Sequence, residues 1–171
     1  MRYLTEGGTI DDALKRTSHA AVHWEMIRRR ASELSPVALT VGRALVIPGP
    51  DVDEDALITT LGVGADVLTQ ALAALNAAAF VTSLRFEHDV VLEAFDADTP
   101  VSVRRWLSRA AAASLESRGA DPARVAQLWM SGGESARAAP LLRQAARDAD
   151  ALLNQDEAGR LRRLADSIKR D

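Results

Sequence analysis

Apolar residues recur along this chain at steps of three and four, interrupted by Pro and Gly, and that rhythm predicts a string of helices. Thr9 has the character of an N-cap with Asp11 and Asp12 in the turn that follows, and Ala20, Trp24, Ile27, Ala31 and Leu34 then form one stripe. Ser35-Pro36 opens a second helix, with Pro at its preferred first position. That helix turns Val37, Val41, Ala44 and Leu45 inward and stops at Ile47, ahead of Pro48-Gly49-Pro50. A short helix is expected over 54–61, broken by Gly62-Val63-Gly64, and a stronger one over 65–78 with Leu68, Ala71, Leu72, Leu75 and Ala79 on its face. Residues 80–86 are rich in β-formers and predict the strands of a small wing. From about Glu87 the helical period returns: Val90, Val91, Leu92, Ala94 and Phe95 make a broad apolar arc, with Asp89 and Glu93 opposite.

Thr99-Pro100 starts a further helix that runs to Arg118, with Val103, Trp106, Leu107, Ala110, Ser114 and Leu115 as its stripe and Gly119 as its stop. Asp121-Pro122 opens a shorter one carrying Val125, Leu128 and Trp129, and Gly132-Gly133 turns the chain. The helix over 134–152 buries Ala138, Leu141, Leu142, Ala145 and Ala149, and a last one over 156–168 carries Leu161, Leu164, Ala165 and Ile168. Antiparallel helix pairs joined by glycine turns are the unit of tetratricopeptide (TPR)-like repeats. The expected fold is mainly α: a lead-in helix over 1–34, a winged-helix-like domain with a short β wing over 35–98, and TPR-like antiparallel repeats over 99–171.

Composition narrows the function more than the fold. Nearly half of the 171 residues are apolar and a quarter are charged, with few aromatics. The net charge of −3 offers no overall attraction to nucleic acid or an anionic membrane. Its distribution is uneven: Asp51 to Asp98 holds ten acids and one base, Arg85, whereas from Val101 onward thirteen bases face nine acids. The helix over 65–78 is the one a winged helix would place in a DNA groove, yet it has no Lys or Arg, so direct nucleic-acid binding is not expected. Arg28, Arg29 and Arg30 read as a solvated helix terminus complementing the carbonyl end of the dipole. With no cysteine there is no disulfide framework, thiolate nucleophile or Cys-based zinc site, and no segment has the apolar length to span a bilayer; the expected location is cytoplasmic.

Candidate chemistry is sparse. His19 and His23 are one helical turn apart, but the Glu of H-E-x-x-H and a third ligand are both missing, so no metal is expected. Asp51, Asp53 and Asp55 imitate the start of a calcium loop, with Ala56 in place of its glycine and Gly62 in place of its bidentate Glu; they read as capping acids. Ser131 lacks the preceding Gly of a nucleophile elbow. No G-x-x-x-x-G-K-[ST] cradle is present, and no nucleophile, base or metal can be named for an enzyme. What stands out is His88, which the helical reading puts inside the apolar arc at the first turn, where the dipole favours Asp89 and disfavours an imidazolium. A neutral, half-buried ring is expected, either free to donate to an anionic ligand or bonded to a backbone carbonyl as a core histidine.

The stretch Phe86-Glu87-His88-Asp89 through Glu93-Ala94 resembles the "FxHDxxxEA" segment of bacterial STAND and LuxR-type regulators, transcriptional regulators with an ATPase module, a winged helix and a helical-repeat sensor. The string after it is similar too: Arg104 and Arg105, then Ala120 to Ala123, Val125, Ala126, Gly133, Glu134, Ala138, Leu142, Ala145, Ala146 and Ala149. The resemblance covers roughly Trp24 to Ile168, and departs from the pattern at Ser108 and at Gln127-Leu128, where those proteins often have His. It implies that His88 reaches the phosphates of ADP held by a neighbouring nucleotide-binding module and that Asp89 supports the local geometry. The chain is then expected to be an excised segment or degenerate relative of such a regulator. Its role would be a non-catalytic relay between an effector or partner on the repeats and the ATP or ADP state of that module. The alternatives are a free-standing TPR-like adaptor that captures a peptide, and a winged-helix DNA-binding protein.

Overall fold

The computed structural model describes residues 22–47 and 52–168. The expected helix start at Thr9, together with Ala20, His19, Pro48-Gly49-Pro50 and Asp51, lies outside the described residues. Among the described residues the fold is mainly α with one two-stranded sheet, and no single helix is long and apolar enough to cross a membrane.

The first helix, α1, is described over 22–32. α2 (Pro36–Val46) begins as its sequence demands: the Ser35 side chain accepts from the Ala38 N–H at 3.2 Å and Pro36 occupies the first turn. Val41, Ala44 and Leu45 point inward as expected, whereas Val37 is exposed and Ala38 takes the buried place beside them. α3 (Glu54–Leu61) is capped by Asp53, which accepts from the Ala56 N–H at 2.7 Å, and ends at Gly62 in the left-handed region. α4 (Ala65–Ala77) leaves that turn bent by 110° from α3. Leu68, Ala71 and Leu75 are its buried face, while Ala79 lies beyond the helix with φ 48° and is exposed.

The wing is an antiparallel hairpin of β1 (Val81–Thr82) and β2 (Arg85–Phe86) with Val81 paired to Phe86. Its two loop residues, Ser83 and Leu84, both have positive φ, the backbone of a type I′ turn whose twist matches that of the strands. α5 (Asp89–Ala97) follows directly. Its Phe95 ring is the hub of the first core, 5.5 Å from Phe80 edge-to-face and 5.4 Å from Phe86. The ring also fills the notch left by Gly42 of α2, where an added Cβ would sit 2.4 Å from Phe95 Cε1. Leu92, expected on the inward arc, is exposed.

α6 (Val101–Ser117) packs on α3, and α7 (Pro122–Ser131), α8 (Ser135–Ala151) and α9 (Gln155–Ser167) each pack on the preceding helix. Each of the three intervening turns closes with the same pair of backbone bonds, the Schellman arrangement. Ala120 N–H donates to Leu115 O at 3.0 Å, Glu134 N–H to Trp129 O at 2.8 Å, and Asn154 N–H to Ala149 O at 2.9 Å. The left-handed residue is Gly119 in the first and Gly133 in the second, but Leu153 in the third.

The described residues form two cores. The first joins Ile27, Val41, Leu57, Leu68, Leu75 and Phe95 and reaches Leu107 of α6. The second begins at Ala111 of the same helix and joins Trp129, Leu142 and Leu161. The change from one to the other therefore falls inside α6, between Leu107 and Ala111, rather than at the turn after Asp98.

Candidate functional site

The site predicted from the sequence is at the start of α5, and there the structure corrects the expectation. His88 is not inside the helix. Its backbone is extended, with φ −141° and ψ 141°, and it is the N-cap of a helix whose first residue is Asp89. The cause is the hairpin. Phe86 is paired in β2 and its ring must reach Phe95, and Glu87 N–H donates back across the ladder to Phe80 O at 3.1 Å, so the chain leaves the sheet extended and cannot coil before residue 89. The imidazole is consequently exposed, neither half-buried in the apolar arc nor a core histidine.

His88 makes no side-chain cap bond to the α5 N-terminus, so the helix start is left without a side-chain acceptor. The backbone carbonyl of His88 is used, accepting from Val91 N–H at 3.0 Å and Leu92 N–H at 3.3 Å. The flanking charges are both acidic. Asp89 lies exposed in the first turn, and the Glu87 carboxylate accepts from the Thr82 hydroxyl. His88 and Asp89 are thus brought together on open surface by a rigid base, the Phe95 hub below and the hairpin beside.

Several residues read as bland in sequence are tied into the fold. Arg28 forks onto Asp98 at 2.8 and 2.9 Å and lies over Trp24, and Arg30 bonds the Ala78 carbonyl and lies over Phe80 at 5.2 Å. All three arginines are exposed, as a solvated helix terminus would have them, and two of them also tie α1 to the end of α5 and the end of α4. Asp53 is a cap as expected and also receives Arg118 from the far end of α6 at 2.8 Å. The Arg118 guanidinium, with the Ala56 N–H, holds the Asp53 carboxyl down to about 2. His23 is exposed, and its partner in the imagined metal pair is outside the described residues.

Ser108, one of the departures from the regulators' pattern, is only 1% exposed with its hydroxyl unpartnered. The other, Gln127-Leu128, divides simply: Leu128 joins the second core and Gln127 faces solvent. A basic recess between α8 and α9 is lined by Arg143, Arg147, Arg162 and Asp166, in the region where the adaptor alternative needs a concave surface bordered by C-terminal arginines. The signal that could have found it is the pair Arg143 and Arg147, like charges one turn apart. Compared with family models, with curated proteins and with solved structures, the chain matches none.

Proposed function

We propose that this chain is the non-catalytic relay of a STAND-type transcriptional regulator. In this reading α2, α3, α4 and the hairpin form its winged helix, and α6 to α9 form the first TPR-like repeats of its sensor arm. The 110° bend between α3 and α4 and the hairpin that follows them are compatible with the first assignment. The absence of Lys and Arg from α4 favours a structural role over DNA contact.

The observation that carries the reading is the placement of His88: an exposed imidazole at an uncapped helix start, fixed to the first core through Phe95. An imidazole there can donate to a phosphate oxygen presented by another module. Glu87 and Asp89 work against capture of a free anion, so the phosphate must arrive with its charge partly neutralised by the module that holds it. Signal transfer is mechanical. Because α6 belongs to both cores, an effector that tilts α7 to α9 also moves α3 and the body carrying His88, withdrawing the ring and shifting a closed state toward an open one.

The test is ADP release from the nucleotide-binding module in complex with the full chain. His88→Ala removes one hydrogen bond to a charged group, about 1.5–3 kcal/mol, and should speed release by about tenfold to a hundredfold and raise basal activity. An unchanged release rate discards the sensor role.

A further inference from the structure

The recess between α8 and α9 is a separate matter from His88. It encloses about 300 Å³ and is lined by Arg143 and Arg147 of α8 and by Arg162 and Asp166 of α9. Arg143 and Arg147 are four residues apart and so project from the same face of α8, where like charges repel. The cations are not equally provided for. Arg162 is paired with Asp150 through its Nη2. Among the described residues neither Arg143 nor Arg147 has a carboxylate within ion-pair distance, and Arg143 is half-buried with its Nη2 shut away from solvent and without an acceptor. That nitrogen is as closed to a ligand as it is to water, so it is the other N–H groups of Arg143 that can serve the recess.

We infer that this recess is an oxyanion site that takes a phosphate group. Charge calls for an anion. Among the described residues Arg143 and Arg147 have no ion-pair partner, and even with Asp166 opposite them the recess is left net positive. Geometry agrees, since Arg147 can donate two parallel N–H bonds to different oxygens of one tetrahedral group and Arg143 a further one from outside its enclosed Nη2. Asp166 opposes the anion but sits where it can accept from a hydroxyl or ammonium next to the phosphate, which selects a substituted phosphate over a bare one.

The experiment follows the arginine Nε–H resonances of the full chain by NMR while inorganic phosphate replaces chloride at constant ionic strength, and is repeated with O-phosphoserine. Saturable shifts at Arg143 and Arg147, with Arg163 unmoved, are expected. Arg147→Gln, an exposed position that leaves the fold intact, should weaken binding at least tenfold, and Arg163→Gln should not change it. Tighter binding of O-phosphoserine would assign the site to a substituted phosphate, and tighter binding of inorganic phosphate would assign it to the free ion; both retain the oxyanion site. Equal response to chloride and phosphate, or equal affinity in Arg147→Gln and the parent chain, overturns the assignment.

Discussion

Leu153 is where the backbone and the side chain disagree most openly. It adopts φ 60° at the end of α8 and is 87% exposed, with Leu152 beside it at 81%. At the equivalent place after α6 and α7 the chain has Gly119 and Gly133, for which a positive φ carries no Cβ penalty. A leucine in that conformation costs roughly 1–2 kcal/mol and here regains nothing from packing. Leu153→Gly should therefore stabilise the fold by about 1 kcal/mol and raise Tm by about 2–4 °C in a thermal scan followed by circular dichroism. A drop in Tm would show that the side chain makes contacts the fold depends on. The same contrast explains what could be read in advance. Gly119 and Gly133 announce their turns because the turn needs the residue type, whereas nothing about Leu153 announces one. His88 was misplaced for a related reason. Its neighbours Val90, Val91 and Ala94 keep helical period, and period alone does not report that the hairpin forces the preceding residues to stay extended.

Between elements, ion pairs of long sequence separation tie one helix to another, and local pattern does not reveal them. Asp53 as an N-cap is local and readable. Its second partner, Arg118, lies 65 residues away and pins the C-terminal end of α6 to the start of α3. The Asp53 carboxyl is depressed from 3.8 to about 2, first by the Arg118 hydrogen bond and then by the Ala56 N–H. A carboxyl whose folded pKa is lowered stabilises the fold fully above its unfolded value, near pH 4, and loses that contribution as pH falls toward 2. Arg118→Gln should therefore lower Tm at pH 6, and the gap to the parent chain should narrow between pH 4 and pH 2. Because both side chains are solvent-accessible, the gap should also shrink in 1 M salt. A gap independent of both pH and salt would mean that Arg118 contributes through its aliphatic stem. The helices themselves were legible almost to the residue at Ser35-Pro36, Asp53 and Asp121-Pro122, where a cap and a periodic stripe agree.

On the scale of the whole molecule the decisive element is α6, and its role is invisible in its own sequence. One stripe of apolar residues serves two cores, Leu107 in the first and Ala111 and Ala112 in the second, so a boundary drawn at the Thr99-Pro100 break divides what the packing joins. The proposed relay needs that shared helix to couple the two bodies, and coupled bodies unfold together. Trp24, packed against the first core, and Trp129, buried in the second, report the bodies separately. In single-tryptophan variants retaining one or the other, urea transitions should coincide with each other and with the loss of helical circular dichroism. Ala110 lies between the two cores on α6. Ala110→Gly costs about 1 kcal/mol of helix propensity and should shift one common transition to lower urea. Ala110→Pro removes a helix hydrogen bond and kinks the chain at about 3 kcal/mol or more, and should split the transition so that the Trp24 and Trp129 midpoints part. If the two tryptophans already report different midpoints in the parent α6, tilting of the repeats has no stiff path to His88, and a relay acting through this helix is ruled out whatever the imidazole contacts.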